Sequence, residues 1–340
     1  YLNSLTYEEK RKFLKKEEIN IRQSIGEAVP TEIFRQIAEK IKENLNRENY
    51  SLREINKIIK DNNLLDNGNL NNYIKENKNL LSFTTLSKIA ELSNAERNNE
   101  EAFYTNKKLL NYIYKEMPII NKKVIRVLEP SVGVGNFIPY IISKYSYAEE
   151  LIIDVVDIND YSIGVLKQLL KIIDVPENVT INYICNDYLL HDFDERYDLI
   201  TGNPPFMKLN SKDKNLKVYR ENCINDESNN TSSYFLEKSL NLSDNVVMVM
   251  PKFLLNTVEY QKTRNFVSNM NIVSIIDFGE KGFDGVLIET LCININTKNK
   301  PSTSKILSIT LDKEIKQKQS YYTDKKLPYW VIYRNKDFDN

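Results

Sequence analysis

The chain of 340 residues is poor in cysteine, histidine and net charge. Its three cysteines, Cys185, Cys223 and Cys292, lie far apart without a Cys-x-x-Cys pair, which fits neither a disulfide framework nor a zinc site. The single histidine, His191, reads as a surface loop residue rather than a catalytic base, and no metal is expected. No apolar run approaches the ~20 residues that span a bilayer. The start, Tyr1-Leu2-Asn3-Ser4, also lacks the basic-then-apolar layout of a signal peptide, so a soluble protein of the reducing cytoplasm is expected. A chain that begins at Tyr rather than Met reads as trimmed, so missing terminal features carry little weight. Lys+Arg and Asp+Glu are both 47, so net charge argues neither for nor against a polyanionic partner, and only local patches inform.

What is present is periodicity. From Thr6 to about Leu92 the apolar positions recur at helical spacing, as in Ile33, Ile37, Ile41 and Leu45, then Leu52, Ile55, Ile58 and Ile59. From Val124 onward short Val- and Ile-rich runs alternate with helical stretches, the pattern of a parallel, doubly wound sheet. Seven strands are expected: Val124 to Leu128, Leu151 to Val156, Val179 to Ile184, Asp198 to Thr201, Val246 to Met250, Ile272 to Ile276 and Leu291 to Ile295. After Asn296 the polar stretch around Pro301 reads as a linker. The domain division expected is a helical region over 1–95, a catalytic domain over 96–298, and a linker with the start of a further region over 299–340.

Three successive strand ends carry chemistry. The first runs into Glu129-Pro130-Ser131-Val132-Gly133-Val134-Gly135-Asn136-Phe137, where Gly133 and Gly135 allow a tight turn and close approach to a ligand. The dinucleotide fingerprint is not met, because Ile138 stands at its third glycine position. The second strand ends in Asp157-Ile158, whose carboxylate can accept both ribose hydroxyls. The third ends in Asn186-Asp187-Tyr188, where Asp187 can accept from an adenine amine. Any one acid alone is more simply a turn or cap residue; all three in order, with the glycine turn, reverse that preference.

The fourth strand closes on Asn203-Pro204-Pro205-Phe206. Two prolines stiffen the turn and remove two amide donors, leaving an acceptor platform. The Asn203 side-chain oxygen and the Pro204 carbonyl can together accept both hydrogens of a planar exocyclic amine. Phe206 offers a face on which an extruded base can stack.

The ordered set Glu129, Gly133, Gly135, Asp157 and Asp187 resembles the class I S-adenosylmethionine-dependent methyltransferases, and Asn203-Pro204-Pro205-Phe206 is similar to their amino-methyltransferase motif. Upstream, Phe103-Tyr104-Thr105 resembles the Phe-Tyr-Thr-Pro motif of gamma-class DNA adenine-N6 methyltransferases, with Asn106 in place of Pro. The stretch around Phe283 looks like that of the adenine enzymes of type II restriction-modification systems. The resemblance covers roughly Ala102 to Asn296. It implies S-adenosylmethionine as cofactor, held by Phe103, Tyr104, Thr105, Glu129, Pro130, Ser131, Gly133, Gly135, Asn136, Phe137, Asp157, Ile158, Asp187, Tyr188 and Asn203. It also implies a class I, Rossmann-like sheet and catalysis by Asn203, Pro204, Pro205 and Phe206, with Phe206 and Phe283 toward the substrate; Lys208, in the polar loop that follows, is a further substrate-side candidate on its charge. Double-stranded DNA is the implied partner, methylated on a flipped adenine, together with a target-recognition domain or subunit and a cognate restriction endonuclease.

Other readings stay open on the residues alone. Cytosine-N4, a protein glutamine or an RNA amine would suit the same acceptor geometry, and a non-catalytic cofactor-binding scaffold would keep the same turn. Phe283 serves equally as a hairpin core aromatic. Lys208, Lys212, Lys214, Lys217 and Arg220 could neutralise phosphates, yet Asp213, Glu221, Asp226 and Glu227 dilute them, as in a solvated loop.

Overall fold

In the computed structural model the described residues are 35, 50–94, 107–280 and 288–334. Contacts divide the chain into residues 1–50 and 51–340, and the second unit holds the sheet and the helices around it. Among the described residues no helix is long and apolar enough to cross a membrane.

Among the described residues from Tyr50 on, three helices precede the sheet region: α1 (Leu52–Asp61), α2 (Asn67–Asn77) and α3 (Phe83–Ser93). Each starts where a short polar side chain caps the first turn. Ser51 forms a reciprocal capping box with Glu54, while Asp66 accepts from Asn69 N and Ser82 from Thr85 N. Their apolar faces, with Ile55, Leu70, Leu86 and Ile89 buried, share one cluster with Val134 of the glycine turn and with Val165 and Leu169. The helices therefore pack on the wall of the sheet domain.

After α4 (Lys107–Glu116) the chain alternates strand and helix: β1 (Val124–Glu129), α5 (Ile138–Tyr145), β2 (Glu150–Asp157), α6 (Asp160–Leu169), β3 (Val179–Cys185) and β4 (Leu199–Gly202). It continues through α7 (Leu216–Glu221), α8 (Thr231–Leu242), β5 (Asn245–Pro251), α9 (Gln261–Val267), β6 (Asn271–Gly279) and β7 (Thr290–Asn296). The strand order is β3-β2-β1-β4-β5-β7-β6, extended by β8 (Thr303–Ser308) and β9 (Lys313–Lys318). Strands β1 to β5 pair in parallel, whereas β7 runs antiparallel between β5 and β6. This is a mostly parallel, doubly wound sheet whose strand order reverses between β1 and β4.

Side-chain alternation divides the core between the two faces. On β5, Val246, Met248 and Met250 join the cluster that holds Tyr234 and Leu236 of α8, while Val247 and Val249 join the one that holds Leu110 of α4 and Ile141 of α5. Both faces being covered, β5 is apolar and buried at every position after Asn245.

The sheet has nine strands rather than the seven expected, because the segment read as a linker contributes β8, parallel to β6, and β9, antiparallel to β8. The rest of the tail is sewn to the same face. Tyr322 is fully buried and its hydroxyl meets Ser304 Oγ at 2.7 Å, Trp330 N donates to Leu255 O at 2.9 Å, and Tyr333 OH donates to Asp277 Oδ2 at 2.7 Å. Gln319, also fully buried, accepts from Ile272 N and donates to Ser268 O and Met270 O.

Candidate active site

In a doubly wound sheet the crevice opens beyond the carboxyl ends of the strands where the order reverses, here between β1 and β4. A cleft lies there, lined by Glu129, Pro130, Ser131, Gly133, Asn136 and Phe137 from the turn after β1, and by Asp157 and Ile158 after β2. Asp187 and Tyr188 after β3, and Asn203 and Pro205 after β4, complete the predicted set that meets in it.

The glycine turn has the conformation its residues permit. Gly133 and Gly135 have φ of +51° and +85°, the left-handed region that costs glycine nothing. A Cβ on Gly135 would stand 2.3 Å from Leu166 Cδ1, so this glycine packs the turn against α6 rather than lining the cleft. Gly133 N donates to Asp157 Oδ2 at 2.8 Å and Asn159 N to Oδ1 at 2.9 Å, which fixes the carboxylate plane between the two loops. A carboxylate fixed in this way is a suitable acceptor for a ribose diol.

Glu129 is 1% exposed. Burial, reinforced by the nearby Asp157 charge, holds its carboxyl well above the usual carboxylate range. Among the described residues its Oε2 has no hydrogen-bond partner. A buried carboxyl oxygen at a cleft wall can accept from a donor or pair with a cation that a ligand brings.

The Asn203 turn is braced from two sides. Ser131 Oγ donates to Asn203 O at 3.0 Å. From the start of α8, Thr231 Oγ1 donates to Pro205 O at 2.7 Å, Asn230 Nδ2 to Phe206 O at 2.9 Å and Thr231 N to Met207 O at 3.0 Å. Among the described residues no donor reaches the Pro204 carbonyl. The turn thus has four of its carbonyls engaged and one left as an acceptor.

Some predicted residues fall elsewhere. Phe206 is 4% exposed, within the cluster on the α5 face, and does not line the cleft. The carbonyls on either side of it are drawn toward α8, which turns its ring to the opposite face; Met207, Thr231 and Phe235 line the cleft in that stretch instead. Lys208 is exposed and bridges backbone to backbone with Asn230. Phe103, Tyr104, Thr105 and Phe283 lie outside the described residues.

Sequence reasoning missed Glu91 and Asn94 at the end of α3, Ser162 on α6 and Tyr219 on α7, all of which line the cleft. Glu91 Oε2 accepts from Asn136 Nδ2 at 3.0 Å. The helix period of α3 was readable, but which end of it meets the glycine turn follows only from tertiary packing. Among the described residues no group of three or more His, Cys, Asp or Glu could hold a metal ion.

The comparisons agree with this architecture. Residues 144–283 match the Eco57I restriction-modification methylase family. The type II methyltransferase M.AccI of Acinetobacter calcoaceticus is 30% identical over 202 residues, covering 56% of this chain and 36% of the relative. M.VspI of a Vibrio strain is 27% identical over 241 residues, covering 62% and 55%. This chain thus spans roughly a third to a half of the curated relatives it matches. Among solved structures, the type IIG restriction endonuclease BpuSI superposes with a TM-score of 0.56 at 16% identity, over 74% of this chain and 35% of that one. A Listeria monocytogenes protein described as a class I S-adenosylmethionine-dependent methyltransferase gives 0.52 at 16% identity, over 68% and 74%. Residues 144–283 thus resemble the Eco57I restriction-modification methylases, and the chain carries the class I methyltransferase fold.

Proposed function

We propose that this chain is the catalytic part of an S-adenosylmethionine-dependent DNA methyltransferase that modifies the N6 amine of adenine. The observation that carries the reading is the Asn203-Pro204-Pro205 turn, held rigidly beside the cleft with the Pro204 carbonyl accepting from no described donor.

The residues present fit the cofactor. Gly133 leaves open space where a side chain would stand, the Asp157 carboxylate is set for a ribose diol, and the buried Glu129 oxygen suits an ammonium group. Asp187 would accept from the adenine amine, with Tyr188 and Phe235 beside it. When bound, S-adenosylmethionine supplies a methyl group on a positively charged sulfur, an electrophile that needs no metal and no covalent enzyme intermediate.

The chain's own part is positioning. The Asn203 side-chain oxygen and the Pro204 carbonyl would accept the two hydrogens of the target amine, favouring a pyramidal nitrogen whose lone pair is free to attack. Burial of the turn keeps water from competing for those acceptors. Phe206, buried as it stands, would serve as a stacking face only once uncovered, so Met207 and Phe235 are the nearer apolar surfaces for an extruded base. The choice of adenine rests on the order of the motifs along the sequence, Phe103-Tyr104-Thr105 before the glycine turn and Phe283 after the Asn203 turn.

The test is incubation with duplex DNA and cofactor carrying a labelled methyl group, followed by nucleoside digestion. Labelled N6-methyladenine is expected, with Asn203→Ala lowering the rate by on the order of 10²–10³ while cofactor binding persists. Label in N4-methylcytosine would change the target base. Label only in RNA or protein, or an Asn203→Ala variant of undiminished rate, would overturn the proposal.

A further inference from the structure

The segment between the Asn203 turn and α8 reaches back into the cleft through one side chain. The short helix α7 buries Leu216 and Tyr219, and the Tyr219 hydroxyl donates to Asp187 Oδ2 at 2.5 Å. The other oxygen of that carboxylate accepts from Leu189 N at 2.9 Å. With one fixed donor on each oxygen the carboxylate cannot rotate, and each oxygen retains a second lone pair directed elsewhere. Tyr219 lines the cleft beside Asp187.

The tyrosine is itself seated. Asn215 Nδ2 donates to its oxygen at 3.3 Å, and its ring lies 5.8 Å from that of Tyr234, whose hydroxyl donates to Ser228 O. Two residues further on, Asn230 and Thr231 hold the carbonyls of Phe206 and Pro205. Arg220, next to Tyr219, donates to Asn229 Oδ1 at 2.6 Å and closes the same segment on itself. Contacts therefore run without a gap from Asp187 through Tyr219 to the turn that would accept the target amine. Burial, and then the facing Asp187, hold the phenol above its usual pKa, so it remains a donor.

We propose that Tyr219 is a positioning residue that aims Asp187 at the exocyclic amine of the bound nucleoside's base, and so ties occupation of the cleft to the seating of the 207–230 segment. This rests on reading the cleft as an S-adenosylmethionine site. Loss of the hydroxyl frees the carboxylate to turn, and recognition of the amine falls while contacts to ribose and amino acid stay. The ligand in turn fixes the carboxylate that Tyr219 leans on, so both ends of the linkage change together.

The test uses the full chain and two ligands, S-adenosylhomocysteine and S-inosylhomocysteine, the latter carrying a carbonyl oxygen in place of the amine. Calorimetric titration of the wild type is expected to favour the adenosyl ligand by about tenfold or more, the size of a lost hydrogen bond to a charged group. Tyr219→Phe, which keeps the ring and its packing, is expected to shrink that preference several-fold while inosyl affinity barely moves. Hydrogen exchange over 207–230 is expected to slow on adding the adenosyl ligand to the wild type and not to the variant. A merely structural role would weaken both ligands alike and leave their ratio unchanged. An unchanged ratio in Tyr219→Phe, or a wild-type segment whose exchange ignores the adenosyl ligand, overturns the proposal. A wild type that binds neither ligand overturns the cofactor reading instead, and with it this inference.

Discussion

Glu129 shows at the scale of one residue how a binding site differs from a stable core. The unfolded chain ionises this carboxyl near the ordinary value of 4.5, whereas the folded chain holds on to the proton well above it. The folded state therefore binds more protons over that window, and by linkage the ligand-free protein loses stability as pH rises from about 4.5 toward the raised folded value. A cationic ligand group beside Glu129 acts in the opposite sense, drawing off the proton and repairing the loss. Glu129→Gln, neutral at every pH and nearly the same shape, is expected to flatten the fall in Tm as pH rises above the ordinary value of 4.5 and to weaken S-adenosylmethionine binding. Parallel Tm profiles of variant and wild type would count against this account. Glu129, Asp157 and Asp187 were all readable in advance because a strand end in this topology faces the crevice whatever the side chain. Phe206 was not, because the direction of its ring depends on which carbonyls of the turn are taken by Thr231 and Asn230. Tyr219 was hidden for another reason: its partner lies 32 positions away, beyond any local pattern.

At the scale of elements, the strands β1 to β7 follow the Val- and Ile-rich runs closely, since a strand buried on both faces is apolar at nearly every position. The two strands that were missed are of the other kind. β9, Lys-Glu-Ile-Lys-Gln-Lys, is one edge of the sheet, and its charges guard the unpaired side against association with another strand. An edge strand is thus built to look like a linker. β8 borrows its stability from β6 and from the buried Tyr322 rather than from its own composition. Its place implies that the tail belongs to the folding unit: it covers the edge of β6 and supplies Tyr322, Trp330 and Ile332 to the main core. Ending the chain at Thr297 is expected to lower soluble yield sharply and abolish a cooperative thermal transition, because an apolar strand edge and the face near Leu255 become exposed together. A truncated form that melts cooperatively and binds cofactor as the whole chain does would show that the tail is an accessory.

For the whole molecule, the balance of 47 basic and 47 acidic residues means that no long-range field draws it to a polyanion. If duplex DNA is the substrate, its attraction must be local. The exposed lysines Lys208, Lys212, Lys214 and Lys217 follow the Asn203 turn directly, on the segment that Arg220 and Asn229 hold in place. Arg220 is committed to that bracing, so on this reading the phosphate contacts would fall to the lysines. Phosphate contacts add affinity without sequence preference, and each one lost lowers the slope of log K against log salt by about one. Replacing the four lysines by glutamine is therefore expected to weaken DNA binding equally for all sequences and to reduce that slope by about two to four, while leaving cofactor affinity intact. The measurement is a set of DNA-binding isotherms across a salt series for both proteins. A slope that does not change would put the DNA contact on another face of the molecule, since a protein of zero net charge has no diffuse field to make up for four missing cations.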